Sequence, residues 1–274
     1  MIRLSAFADE ISADPVEQLD CLEANGVRFI EFRSIHGTNV LDLTRPQHDS
    51  FRGLLRSRGF GLSAIGSPIG KIPIREPFEP HLERFETAME LAEFHGTPRI
   101  RIFSFYMPEG DDPARYRDEV LRRLTVLAEA AARRGLLLLL ENEKGIYGDT
   151  AVRVADVLRS VGSEALAHAF DPANYVEVGQ EISAAWESLR PWVRHFHVKD
   201  YLAAERRNVP AGEGDAQIPK LLTDAVATGF DGFAVLEPHL VVAEKSYGFT
   251  GPERFADATR ALKGVLDRGS IAYV

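Results

Sequence analysis

The chain has 274 residues, 45% of them hydrophobic and 27% charged, with a formal net charge of −9 at pH 7. These proportions exclude a disordered or fibrous protein, and the acidic balance repels phosphate backbones, so no nucleic-acid partner is expected. The longest apolar run, Leu136 to Leu140, falls short of the ~20 residues of a membrane-spanning helix, so no membrane partner is expected either. Cys21 is the single cysteine and MIRLSAFADE has no charged-then-apolar leader pattern, which together predict a cytoplasmic protein.

Short apolar runs alternate along the chain with longer amphipathic ones. The predicted strands are Arg3–Ala8, Arg28–Phe32, Gly61–Ile65, Arg99–Ser104, Leu136–Glu141, Ala167–Asp171, Val193–Val198 and Phe233–Glu237. Between the first two, DPVEQLDCLEANG reads as a helix with Asp14 as N-cap, Pro15 at the first helical position and Gly26 as the stop. Arg117 to Arg134 is the clearest helix: Leu121, Leu124, Leu127 and Ala128 recur at helical spacing, and Gly135 closes it before the leucine run. Strands that are apolar at every position are covered on both faces, which points to a parallel sheet wrapped by helices. No linker or shift of composition divides the chain.

The expected architecture is α/β, a single-domain (β/α)8 TIM barrel over residues 1–274. A doubly wound open sheet is the rival. FADEIS follows the first strand where that fold would carry a GxGxxG turn, and the ionisable residues are spread over late strands instead of one switch point.

In a barrel, function sits at the C-terminal ends of the strands. The last four strands end at Glu141, Asp171, His197 and Glu237, each closing an apolar run. Side chains alternate faces along a strand, so Leu139 and Glu141 share a face, as do Ala169 and Asp171, and Val235 and Glu237. Three carboxylates and an imidazole converging on a partly dry mouth repel one another unless a cation lies between them. A divalent metal resolves the conflict. An oxygen-rich set with one nitrogen suits Mn, Mg or Co better than a structural Zn. The alternative is that each acid caps the helix that follows or pairs with a base.

The segments LENE at Glu141, FDPANY at Asp171, HFHVKD at His197, VPAGEGD at Val209 to Asp215 and LEPHL at Glu237 resemble, in this order, the sugar isomerase/epimerase proteins of the xylose isomerase-like TIM-barrel superfamily. That superfamily also includes the AP endonuclease family 2 type of repair enzyme. The resemblance implies one divalent metal (Mn, Mg, Co or Zn) held by Glu141, Asp171, His197 and Glu237, with Glu141 and Glu237 also acting as paired acid and base. The activity it implies is isomerisation or epimerisation of a sugar, sugar phosphate or related polyol by proton abstraction next to a metal-bound carbonyl. Dehydration of a cyclic polyol, as in inosose dehydratases, is the alternative. An abasic-site endonuclease needs extra histidines on earlier strands, which LSAIGS and IRIFSF lack. A non-catalytic sugar-binding barrel would have little reason to keep four mutually repelling groups.

Further residues are candidates for the substrate. Asn174 stands where the epimerases carry a substrate-binding histidine, and it is expected on the substrate. Lys199 faces either a substrate oxygen or a nearby acid such as Glu237 or Glu213. His195, two residues before His197, is expected to support it. Glu143 is a further acid on the Glu141 face, Glu31 and Arg33 end the second strand, and Lys71 lies in the loop GSPIGKIPI. Glu213 is expected on a tight turn near the mouth. The sequence leaves open the substrate, the metal and a homo-oligomeric state.

Overall fold

The computed structural model describes residues 1–241 and 249–274. Eight parallel strands close into a barrel: β1 (Ile2–Ala6), β2 (Phe29–Phe32), β3 (Gly61–Ile65), β4 (Arg99–Ile102), β5 (Leu137–Glu141), β6 (Leu166–Phe170), β7 (Val193–Val198) and β8 (Gly232–Leu236). Each strand lies beside its neighbours in sequence, and β8 returns to β1 through the pairs Ile2 with Gly232 to Ala6 with Leu236. The expected TIM barrel is therefore the fold.

Local chemistry sets the outer helices. In α1 (Pro15–Ala24) the Asp14 carboxylate accepts from the Val16 and Glu17 amides, and Pro15 takes the first position, where its missing N–H costs nothing. Of the later helices, α2 is Arg45–Arg58 and α3 is Glu79–His95. In α4 (Arg117–Arg133) Val120, Leu124, Leu127, Ala128 and Ala131 bury one stripe against the barrel. Gly135, at φ 66°, then reverses the chain into β5, a left-handed conformation that glycine adopts without the steric cost of a Cβ. Four of the five positions of β5 and all five of β6 and β8 are buried, as the two-sided cover of a barrel strand requires. Among the described residues no helix is long and apolar enough to cross a membrane.

Four strand ends differ from the sequence expectation. β1 stops at Ala6, where the chain enters the 3-10 turn Ala8–Glu10, and β4 stops at Ile102. β6 and β8 stop at Phe170 and Leu236, so Asp171 and Glu237 lie one residue past their strands. Two short hairpins, Ser34–Ile35 with Thr38–Asn39 and Asp200–Leu202 with Arg207–Val209, were not anticipated. Both are built from βα loops at the C-terminal end of the barrel.

Strand stagger decides which residues meet at the mouth. In register Glu141 lies opposite Ala169, Ala169 opposite His195, and His197 opposite Val235. Tilted strands climb relative to the barrel axis as one passes around it. The residues that share the height of Glu141 are thus Asp171, His197 and Glu237, each further along its own strand or just beyond it. Below them, Leu139, Ala64, Ala167 and Ala169 fill one side of the barrel interior, and Phe7, Phe233 and Val235 another.

Candidate active site

Glu141, Asp171, His197 and Glu237 are all buried, and each offers an atom within 4.8 Å of those offered by the others. His197 Nδ1 stands 3.1 Å from Glu141 Oε1 and 3.6 Å from Glu237 Oε2. Two buried atoms of this group, His197 Nδ1 and Glu237 Oε2, make no well-aligned hydrogen bond in the structure, and Asp171 Oδ2 meets only the Lys199 ammonium, at 2.9 Å. Leaving one such atom unsatisfied costs about 1–3 kcal/mol, and more when it is charged. Ligand atoms converging in this way at the ends of neighbouring strands fit a divalent cation, with oxygen ligands and a single imidazole. Asp171 serves two ends: its Oδ1 caps the six-residue helix Pro172–Glu177 by accepting from the Asn174 amide at 3.0 Å, while Oδ2 turns to the centre. Helix capping and site membership, alternatives in the sequence, coexist in one carboxylate.

Cations hem the acids in. Arg101 donates from Nη1 to Glu141 Oε2 at 2.9 Å, with its other nitrogens on the carbonyls of Gly66 and Ser67. Arg33 donates to Asp9 at 2.8 Å and to Glu237 Oε1 at 3.1 Å, and its guanidinium lies 4.4 Å from the Phe7 ring centre. Lys199 Nζ is 2.9 Å from Asp171 Oδ2 and 3.9 Å from Glu237 Oε2.

These contacts divide the carboxyls electrostatically. Burial works against charge on all three, but His197 and Arg101 hold Glu141 below the usual carboxylate range, and Lys199, His239 and His197 do so for Glu237. At Asp171 burial and the neighbouring Glu237 and Glu141 outweigh Lys199, so its carboxyl is raised. Lys199 and Arg33 are desolvated, yet their acid partners raise both.

The mouth is a cavity of about 340 Å³ lined by Arg33, Lys71, Arg101, Glu141, Lys199, Glu237 and other residues. A larger recess, about 680 Å³, lies at the opposite end of the barrel against Leu137, Leu166, Trp192 and Arg194, away from the acid cluster. Size alone does not mark the site.

The remaining candidates separate. Lys71 pairs with Glu143 at 3.0 Å on the rim, 4.3 Å from the Phe103 ring centre, so the loop lysine and the strand-end acid form one feature. His195 is buried below the centre with Nε2 on Glu31 Oε2 at 2.7 Å. Asn174 is buried, and its Nδ2 donates to the Asn142 carbonyl at 2.9 Å, so that group serves the backbone and not the cavity. Glu213 corrects the sequence expectation: it is exposed and does not line the mouth. The turn folds around Asp200, whose carboxylate collects the amides of Gly212, Gly214 and Ala216, and this directs the Glu213 side chain outward.

Two mouth residues escaped the sequence reading. Arg101 shares the inward parity of Arg99 in RIRIF, and that parity is the signal for it in the sequence. His239, in LEPHL, has φ 47° and is fixed by its amide on Glu10 Oε2 at 2.9 Å. Its Nε2 lies 3.2 Å from Glu10 and 3.4 Å from Glu237. Although burial opposes it, Glu10 and Glu237 push His239 up to about 9. Only tertiary folding brings the buried Glu10 to it.

A closed eight-stranded α/β barrel with an acid-rich centre at its C-terminal mouth has the layout of the TIM-barrel enzymes. The family described as xylose isomerase-like TIM barrel matches residues 19–263, and the chain belongs to that family. A relative, the 3-dehydroshikimate dehydratase of Bacillus anthracis, is 26% identical over 197 residues, which span 70% of each protein. The chain is similar in fold to a D-tagatose 3-epimerase-like protein, with a TM-score of 0.80, 16% identity and 98% of both chains covered. It is also similar to a xylose isomerase-like TIM barrel protein from Mycobacterium smegmatis in complex with magnesium. That TM-score is 0.75 at 18% identity, over 98% of this chain and 97% of the other.

Proposed function

We propose that this protein is a metal-dependent enzyme that removes a proton next to a carbonyl of a sugar, sugar phosphate or related polyol and returns it as an isomerase or epimerase. The observation that carries this reading is the convergence of two carboxylates, Glu141 and Glu237, on Nδ1 of the His197 imidazole at 3.1 and 3.6 Å, each steadied by its own arginine. Glu141, Asp171, His197 and Glu237 would hold the ion, which is Mn, Mg, Co or Zn. Bound there, a divalent cation polarises a substrate carbonyl and makes the adjacent C–H more acidic.

The chain's own residues supply the rest. Arg101 and Arg33 fix Glu141 and Glu237 in direction; one, ionised, takes the substrate's proton, and the other, entering the step protonated, delivers its own. Lys199 and Arg33 line the mouth as donors for substrate oxygens, and the Lys71–Glu143 pair forms its rim. Return of the proton to the opposite face of the same carbon is epimerisation, and return to the neighbouring carbon is isomerisation.

A second reading is dehydration, favoured by the similarity to a 3-dehydroshikimate dehydratase. Here the same proton is abstracted and a β-hydroxyl leaves. His239, facing the cavity beside Glu237, is placed to protonate that hydroxyl.

Incubation of metal-loaded protein with ketoses, inososes and cyclic β-hydroxy ketones in deuterated water separates the two. Exchange at the α-carbon with a rearranged or epimerised product supports the first reading. Loss of water supports the second, and no exchange on any substrate overturns both.

A further inference from the structure

Beneath the candidate metal centre lies a carboxylate that the proposed chemistry does not use. Glu31, on β2, is fully buried on the far side of the barrel interior from Glu141 and reaches across to β7. Its Oε2 meets two imidazoles at once, His195 Nε2 at 2.7 Å and His197 Nε2 at 3.2 Å. Both ring nitrogens lie within hydrogen-bond reach of this one oxygen, and a carboxylate oxygen accepts. An acceptor at Nε2 dictates that the hydrogen of each ring sits there.

For His197 this choice has a geometric consequence. In the neutral ring that a metal ion would bind, Nε2–H directed at Glu31 leaves the lone pair on Nδ1, the atom that faces Glu141 at 3.1 Å and Glu237 at 3.6 Å. The Phe7 ring, edge-on with its centroid 5.1 Å away, and the His195 ring at 5.5 Å leave the imidazole little room to turn over.

We infer that Glu31 is the positioning residue of the metal centre: it fixes the tautomer and ring direction of His197 so that Nδ1 is the metal-binding atom, and His195 in turn anchors Glu31. This inference rests on the metal-dependent reading above. It also explains the paired histidines of HFH: one is placed to bind the ion, and the other steadies the carboxylate that aims it.

Calorimetric titration of manganese chloride into metal-stripped full-length protein tests it. Glu31→Gln keeps the shape but loses the charge that accepts from both rings, and it is expected to weaken manganese binding by about 10- to 100-fold. Glu31→Asp, which keeps the charge, is expected to recover part of that loss. Equal affinity in wild type and Glu31→Gln overturns the inference alone, whereas no uptake by the wild type overturns it together with the metal reading. A measurement on the wild type needs no variant to fold. In cadmium-loaded, nitrogen-labelled protein, NMR is expected to show metal coupling at His197 Nδ1 with the proton retained on Nε2. Coupling at Nε2 overturns the inference.

Discussion

Arg101 and Glu141 form a buried ion pair at 2.9 Å, tied on the arginine side to the carbonyls of Gly66 and Ser67. The guanidinium thus fastens the end of β5 to the loop that leaves β3. Removing one partner of such a pair leaves an uncompensated buried charge. Arg101→Met is expected to destabilise the metal-free protein by about 3–5 kcal/mol. Arg101→Lys should not rescue it, because a lysine has no planar fork for three acceptors. Denaturant midpoints of the three proteins decide this, and a wild-type midpoint in Arg101→Met would refute it.

His197 and His195 should differ sharply as variants. His197→Ala removes the single nitrogen of the candidate centre and is expected to abolish metal uptake, while His195→Ala, acting through Glu31, only weakens it. Metal in excess should also raise the wild-type stability, by about 2.7 kcal/mol at a hundredfold excess over the dissociation constant. Metal content after dialysis and melting with and without chelator provide the check. Equal retention by both alanine variants would sink the assignment.

Asn174 is expected to matter for folding more than for substrate. Its Nδ2 and backbone amide tie Asn142 and Asp171 together, so Asn174→Ala should cost about 1–3 kcal/mol in stability. A large rise in KM with an unchanged melting temperature would restore the substrate contact that the sequence suggested.

Stability should fall in mild acid through buried neutral histidines. His81 Nε2 accepts from the Gly70 amide at 2.7 Å, which requires an unprotonated nitrogen. Burial lowers His81 to about 4 from 6.5, and burial with the neighbouring His48 lowers His95 to about 3. The folded value lies below the unfolded one, so the unfolded chain takes up protons first. Stability from His81 is complete above its unfolded pKa of 6.5 and is lost as pH falls toward 4, on the order of 3 kcal/mol in all. Urea midpoints at about pH 7 and about pH 5 should differ accordingly, and His81→Gln, which keeps an acceptor but does not titrate, should flatten part of the slope. Identical wild-type midpoints would exclude this account.

The loop after β3 depends on Gly70. At φ 91° a Cβ there would run into the Phe103 carbonyl oxygen. Gly70→Ala is expected to cost more than about 2 kcal/mol and to loosen the Lys71–Glu143 rim. Thermal melting tests the first part. Near-wild-type stability would show that the loop has another conformation available.

By itself the sequence determined the barrel and the four residues at its centre. Strand parity has period two and apolar runs covered on both faces are unambiguous, so the residues closing β5 to β8 could be read as sharing one mouth. Glu141, Asp171, His197 and Glu237 were legible for that reason. The tertiary structure alone decided their partners. Arg101 reaches Glu141 from the neighbouring strand, Glu31 reaches His197 across the barrel from 166 positions earlier, and Glu10 meets His239 from 229 positions away. Such pairings depend on stagger and closure, which residue types do not encode locally. Glu213 failed for a related reason: a turn's composition predicts that it is tight, but the direction it faces is set by Asp200 gathering its amides.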